Sequence, residues 1–339
     1  MITRRDFLGA SALTSLAAAA ATLSLPLAGC SSGSTVTTED GSVLIRLADH
    51  STSPVLSFAL QEGVLDEVFA GQDVELEVSS FGSGPAMNEA IAASQIDIAW
   101  MGHFPAFVGS SSYGYELIAT GMEAYKEAVL VATPASGIAS IADLAGKKIG
   151  TYIGSNMHYF LYLYLESAGL TFDDVEVINT SSETASALRG NEIDAAVFGV
   201  VTAYSLAEEG SVNIIAEEGP SGEDPYFLPL CVTSAFAETY PELTELACTA
   251  YDEAIRYRDA HKEEFLAFYE EKTGSDSASV EATWEYVDHR ATIPGPVQLS
   301  ASETLLTWLQ DNDYAEGGVT VDDMYDTSFA EAAGLETSE

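Results

Sequence analysis

From residue 43 to residue 216 the chain repeats one pattern: a short β-branched or apolar run, a tight polar turn, then a helical stretch. After Pro134 the pattern starts afresh. Strand-period runs alternating with helix-period runs predict an α/β fold, because parallel strands need a crossover and a helix is the usual one. Strands are expected at 43–48, 74–79, 96–101, 117–120 and 128–132, then at 148–152, 175–179, 195–198 and 213–216. The alternation stops near Gly219-Pro220. Residues 227–233 form one more apolar run, and a helical tail is expected over 241–272, 277–290 and 299–311. An α/β unit interrupted by a second and then resumed makes two lobes with two crossings between them, expected at 129–134 and 226–231. Lobe 1 then comprises 43–130 and 231–339, and lobe 2 comprises 131–230. Two connections make a hinge, and the cleft between the lobes is the default ligand site.

The segment ahead of this body reads as an address. Thr3-Arg4-Arg5-Asp6-Phe7-Leu8 sets two cations before the apolar, Ala-rich residues 9–25, the layout of an export signal. Arg4 and Arg5 with Phe7-Leu8 resemble the twin-arginine motif, and Leu27-Ala28-Gly29-Cys30 resembles a bacterial lipobox. Residues 1–29 are therefore expected to be removed, leaving Cys30 as a lipidated N-terminus. The competing reading is a retained membrane helix over 7–28, which is just long enough to span a bilayer. Residues 30–42 are polar and rich in Ser, Thr and Gly, and a flexible tether of about 12 residues reaches roughly 20 Å.

Charge narrows the function. With 53 Asp and Glu against 12 Lys and Arg, the formal charge is −41, and no basic cluster exists to hold a phosphate backbone. The same excess opposes docking on an anionic membrane surface, so any membrane attachment must be covalent or hydrophobic. Three cysteines without a Cys-x-x-Cys pair build neither a disulfide scaffold nor a zinc site. Cys231 and Cys248 lie in apolar surroundings and read as buried thiols, a disulfide between them being the alternative. The phosphate-loop, Gly-x-Ser-x-Gly, Ser-x-x-Lys and His-Glu-x-x-His signatures are all missing, so no catalytic residue, cofactor or metal is expected.

What recurs is a strand, a polar turn and a helix start. Phe81-Gly82-Ser83-Gly84-Pro85 opens one helix, Met101-Gly102-His103-Phe104-Pro105 a second, and Gly154-Ser155-Asn156 a third. The third is expected to bury Met157, Phe160, Leu161, Tyr164, Leu165 and Ala168 and to end at Gly169. Ligands of open α/β sheets sit beyond the carboxyl ends of the strands, where helix starts offer free N–H groups and partial positive charge. Each start contributes about 0.3–1 kcal/mol by dipole, so three can hold a small anion without Lys or Arg. For any single turn an ordinary N-cap explains the residues equally well. His50, His103 and His158 also fall at strand ends or helix starts. They are read as ligand contacts or turn caps, with a three-His metal site the remote alternative. The expected site is a small anion among Ser83, Gly84, His103, Ser155, Asn156 and His158, with His50 at the rim. An imidazolium there would make affinity weaken as pH rises through about 6.5.

Two stretches carry a family resemblance. Gly154-Ser155-Asn156-Met157-His158-Tyr159, with its helix ending Glu166-Ser167-Ala168-Gly169-Leu170, resembles the aliphatic sulfonate, taurine and nitrate binding proteins of ABC importers. So does Phe81-Gly82-Ser83-Gly84-Pro85-Ala86-Met87-Asn88-Glu89-Ala90, continuing to Gln95-Ile96-Asp97-Ile98-Ala99. Residues 141–150 match the opening of that family's second lobe. The resemblance implies an α/β, two-lobe, type II periplasmic-binding-protein-like fold with hinge-linked lobes and a helical C-terminal tail. It implies a monomer that closes on a small ligand, most plausibly an organosulfonate, and hands it to a permease and ATPase outside the cytoplasm. His103 stands where relatives often carry Asp or Asn, and Phe198-Gly199-Val200-Val201 replaces a Trp-Asp-Pro-like segment. The alternatives are another small ligand (nitrate, carboxylate, pyrimidine or metal), a thiamine-precursor enzyme of the same superfamily, or a tethered sensory domain.

If Cys30 carries the anchor, Cys30→Ala releases the protein from the membrane or leaves the precursor uncleaved. Cell fractionation with mass spectrometry of the N-terminus checks it. Normal processing with unchanged membrane retention would overturn the lipoprotein assignment.

Overall fold

The chain builds β1 (Val43–His50), β2 (Val74–Phe81), β3 (Ile98–Trp100) and β4 (Tyr115–Ala124), then β5 (Ala128–Ala132), β6 (Lys148–Thr151), β7 (Glu176–Asn179), β8 (Ala195–Gly199) and β9 (Asn213–Ala216), and finally β10 (Tyr226–Thr233) and β11 (Val287–Thr292). The computed structural model describes residues 37–38, 41–124, 128–180, 183–217, 226–274, 276–284 and 287–338. Arg4, Arg5 and Cys30 lie outside the described residues. Among those described, no helix is long and apolar enough to cross a membrane.

The strands form two sheets, ordered β11-β4-β10-β3-β1-β2 and β7-β6-β8-β5-β9. Each sheet has the same plan. Three of its strands are parallel, with the earliest of the three in the middle (β2-β1-β3 and β7-β6-β8), and a single antiparallel strand separates the last of the three from the sheet's next strand in the chain, β4 or β9. That inserted strand, β10 in one sheet and β5 in the other, is the strand with which the chain arrives from the opposite sheet. The two-lobe α/β architecture follows the alternation read from the sequence. The passages lie between Ala124 and Ala128 and between Ala216 and Tyr226, so the segments expected as crossings are largely β5 and β10 themselves. We propose lobe boundaries at those two passages.

Helices follow strands throughout: α1 (Val55–Gln61), α2 (Gly84–Ala92), α3 (His103–Tyr113), α4 (Asn156–Ser167), α5 (Thr184–Arg189) and α6 (Val200–Glu208), with the tail contributing α7 (Pro241–Ala260) and α8 (Pro296–Asp311). Ser83 caps α2, its Oγ accepting from the Ala86 N–H at 3.4 Å, and Pro85 occupies the first turn, where no N–H is needed. Gly169 takes φ +71° just past α4, as the left-handed turn there requires. Helix α4 buries the expected Phe160, Leu161, Tyr164 and Leu165 but also His158, Tyr159 and Leu163, because it is packed on more than one side.

The tail departs from expectation. The helix expected over 277–290 is a short helix, Ala278–Thr283, followed by β11, which pairs antiparallel with β4 from Val287↔Ala124 to Thr292↔Thr120. Pairing with an otherwise open edge prevails over local pattern, and the hydroxyls of Thr120 and Thr292 meet at 3.0 Å. Pro229 sits in the interior of the sheet, a position normally closed to proline. The irregular register of β10 against β4 accommodates it, and its carbonyl accepts from the Met101 N–H at 3.2 Å.

One apolar cluster runs through both lobes, from Met87 and Phe104 through Leu130, Ile149 and Tyr159 to Leu305 and Trp308. Trp308 on α8 is its keystone, with ring centroids 5.8 Å from Phe104 in lobe 1, 5.5 Å from Tyr159 and 5.0 Å from Tyr162 in lobe 2. Trp308→Ala should therefore lower stability by about 3–5 kcal/mol. Urea unfolding followed by circular dichroism measures it, and a loss below about 1 kcal/mol would show that the cluster does not bind the lobes together.

Candidate functional site

The carboxyl ends of the parallel strands in both lobes face one cleft of about 600 Å³. The end of β1 supplies His50, Ser51 and Thr52, the start of α2 supplies Ser83 and Gly84, and α3 supplies Gly102 and Pro105. From lobe 2 come Thr151 and Tyr152 at the end of β6, Ser155, Asn156 and Met157 at the start of α4, Thr184 on α5, and Phe198 and Thr202 at the β8–α6 junction. Tyr226 of β10 closes the back. Among the described residues no Asp, Glu, Lys or Arg lines this space. The three helix starts singled out from sequence thus do converge, joined by those of α5 and α6.

The side chains take different roles from those expected. Asn156, the first residue of α4, turns away from solvent, and its Oδ1 accepts the free N–H of Phe104 in the first turn of α3 at 2.9 Å. A side chain of one lobe thereby caps a helix of the other. Gly102 is required beside it, since a Cβ there would overlap the Asn156 amide, and a Cβ on Gly84 would likewise overlap Pro105. Ser155 does not cap α4. Its hydroxyl donates to the Tyr152 carbonyl at 2.7 Å, which commits its one proton to the turn.

Burial disfavours the cationic form of all three candidate histidines. His103 lies behind the lining, stacked on Phe227 with centroids 4.8 Å apart, its Nδ1 3.3 Å from both the Phe227 carbonyl oxygen and the Asn156 amide nitrogen. His158 is also behind it, stacked on Phe172 at 5.1 Å, with Nδ1 accepting from the Gly154 N–H at 3.4 Å and so closing the turn that begins α4. Only His50 reaches the cleft, half-buried, with Nδ1 3.3 Å from Thr52 Oγ1. Burial pushes all three imidazoles down to about 4. The proton-dependent donor expected from sequence is therefore replaced by neutral rings that hold turns and aromatic neighbours in place. Among the described residues no three His, Cys, Asp or Glu are placed to hold a metal ion, and Cys231 and Cys248 are free, buried thiols.

Thr151 is the residue sequence reasoning missed. It is 1% exposed, and its hydroxyl is buried without a hydrogen-bond partner on the cleft wall. An unpaired buried hydroxyl costs about 1–3 kcal/mol unless something occupies it. The available signal was its place as the last residue of a parallel strand, directly before a tight turn.

Behind the rim lies Asp49, 0% exposed, accepting from the Trp100 indole at 2.9 Å, from the Ser57 N–H at 2.8 Å and from the His50 N–H at 3.1 Å. Burial outweighs these bonds and raises its carboxyl to about 6.

These groups set the acid response. The imidazoles are lowered from 6.5, so the unfolded chain binds more protons below that value, and their stabilising contribution is present above pH 6.5 and lost as pH falls toward 4. Asp49 acts oppositely, since its raised value makes the ionised folded form costly and that cost is relieved as pH falls through about 6. Three groups outweigh one, with His103 and His158 each worth on the order of 3 kcal/mol. Melting temperature should fall steadily from pH 6.5 to pH 4.5, and the His103 ring resonances in NMR should not titrate above about pH 5. A His103 midpoint near 6.5 would restore the imidazolium reading.

The comparisons agree with this arrangement. The sequence profile of the family described as "ABC transporter, phosphonate, periplasmic substrate-binding protein" matches residues 59–238. A protein of Escherichia coli (strain K12), provisionally named an aliphatic sulfonates-binding protein, is 25% identical over 258 residues, covering 72% of this chain and 78% of its own. A binding protein of Brucella abortus (strain 2308), also provisionally named, is 25% identical over 69% of this chain and 72% of its own. The alkanesulfonate-binding protein SsuA from Xanthomonas axonopodis pv. citri, solved bound to MOPS, shares the fold with a TM-score of 0.73 at 20% identity over 84% of this chain and 98% of that one. Two sheets of matching plan around a cleft of helix starts, and a profile that spans β2 to β10, lead to one statement: the chain belongs to the family of periplasmic substrate-binding proteins of phosphonate-type ABC transporters.

Proposed function

We propose that the cleft captures a small organic anion, an organosulfonate such as an alkanesulfonate or taurine, by closure of the lobes, and that the loaded protein delivers it to a permease and ATPase while tethered through lipid on Cys30. The observation that carries this reading is the buried, unpartnered Thr151 hydroxyl in a neutral cleft ringed by helix starts. Thr151 donates to a head-group oxygen, and the first N–H groups of α2 and α4 add partial positive charge. Ser83 and Gly84 let the backbone approach the head group. His50 borders it at the rim, while His103, Ser155, Asn156 and His158 hold the helix starts in position. Met157, Phe198, Tyr152 and Tyr226 offer apolar surface to the organic tail, a wall that nitrate would leave unused. An enzymatic reading gains no support from the cysteines, since burial raises the thiol of Cys231 and neither Cys231 nor Cys248 lines the cleft.

Calorimetry on the whole purified chain against alkanesulfonates, taurine, nitrate, carboxylates and divalent metals tests the ligand class. Thr151→Val tests the site. Removing an unpaired buried hydroxyl leaves the ligand-free protein at least as stable as before, while affinity for the alkanesulfonate drops by about 1–3 kcal/mol, roughly 5- to 150-fold. Unaltered affinity in that variant, or tight binding only of cations or neutral compounds, would overturn the proposal.

A further inference from the structure

We propose that the cleft is a charge-state filter: it accepts singly charged anions and turns away doubly charged ones, so that a phosphonate is held only as its monoprotonated form. This rests on the anion reading above and goes beyond it by fixing the charge of the ligand. The described lining holds hydroxyls, amides and helix starts but no Lys or Arg. Among the described residues, five cations are paired with acids away from the cleft: Arg46 with Asp97, Arg189 with Glu209, Arg256 with Asp252, Arg258 with Asp259 and Lys262 with Glu281. The imidazole at the cleft, His50, and those behind it, His103 and His158, are held by burial well below their ordinary value, to about 4. The one buried charge beside the rim is of the wrong sign, the Asp49 carboxylate, which already takes the N–H of His50.

The physics of such a site depends on how two energies scale. Attraction to fixed dipoles grows in proportion to ligand charge, whereas the cost of stripping water from an ion grows with its square. A second charge doubles the first and quadruples the second, and with no cation to offset it the dianion is rejected. A proton already on the ligand removes the problem and can itself donate to a lining oxygen. A sulfonate carries one charge at every physiological pH. A phosphonate carries up to two, its second ionisation lying near neutral pH, as does that of a phosphate monoester at about 6.

The test is calorimetry on the whole chain with butanesulfonate and butylphosphonate, matched in tail, between about pH 6 and about pH 9, read as the ratio of their affinities so that any effect of pH on the protein cancels. The expected ratio favours the sulfonate and grows about tenfold per pH unit above the phosphonate's second ionisation. Repeating the phosphonate titration in buffers of different ionisation enthalpy should reveal uptake of one proton on binding at the upper end of that range. Lys126 falls outside the described residues, so Lys126→Ala is run in parallel and should give the same ratios. A ratio independent of pH, or binding of the phosphonate without proton uptake, would overturn the filter, as would a Lys126→Ala variant that alone shows the discrimination. Failure of both ligands at every pH would instead overturn the anion reading on which the filter stands.

Discussion

Asn156 links the halves of this protein beside the cleft: its Oδ1, at the start of a lobe 2 helix, accepts the N–H of Phe104 at the start of a lobe 1 helix. Everything near the cleft is arranged around that contact. Gly102 has no side chain because the Asn156 amide occupies the space, His103 stacks on Phe227 to one side, and Phe104 packs against Trp308 on the other. A neutral charge-free bond of this kind is worth only about 0.5–1.5 kcal/mol net, but it satisfies a helix N–H that burial would otherwise leave unpaired.

Net charge and site charge are decoupled in this chain. Its formal charge of −41 is carried on the surface, and the acids that are buried are answered locally, Asp97 by Arg46 and Asp252 by Arg256, with Asp49 the exception held by N–H donors alone. At a screening length of about 8 Å, surface carboxylates act weakly on a closed cleft. On the proposed reading, recognition of an anion falls to oriented dipoles, which cannot be titrated away as an imidazolium could. The lowered values of His103 and His158 belong to the same arrangement, since apolar and aromatic packing around these two rings excludes the water that a charged form would need.

The fold was legible because alternation of period is a property of every segment. Nine strands were located within a few residues of their observed bounds, and the restart after Pro134 marked the second lobe. β11 was not legible, since what makes residues 287–292 a strand is the edge of β4, more than a hundred and fifty residues earlier in the chain. At the site the turns were legible and the roles were not. Ser155, Asn156, His103 and His158 stand where a ligand-facing reading put them, but each side chain is spent on the protein's own backbone or rings, a choice that depends on which neighbours fold against it. Thr151 passed unnoticed because a threonine ending a strand is ordinary, and only three-dimensional accounting of partners shows its hydroxyl to be left over.

The shared plan of the two sheets has a consequence for the order in which the molecule can be assembled. Lobe 2 draws all five strands of its sheet from one continuous stretch, Ala128 to Ala216, so every partner is present once that stretch has been synthesised. Lobe 1 cannot be finished then, because β10 must slide between β3 and β4 and β11 must cover β4, and both lie beyond lobe 2 in the chain. Until they arrive, β3 and β4 present open edges, the kind of surface that pairs wrongly with other chains. A polypeptide synthesised from its N-terminus thus leaves its first-made lobe incomplete the longest, and the later-made lobe is the one whose strands are all present first. Completion of the first-made sheet requires the tail to return to strands that precede the whole of lobe 2 in the chain.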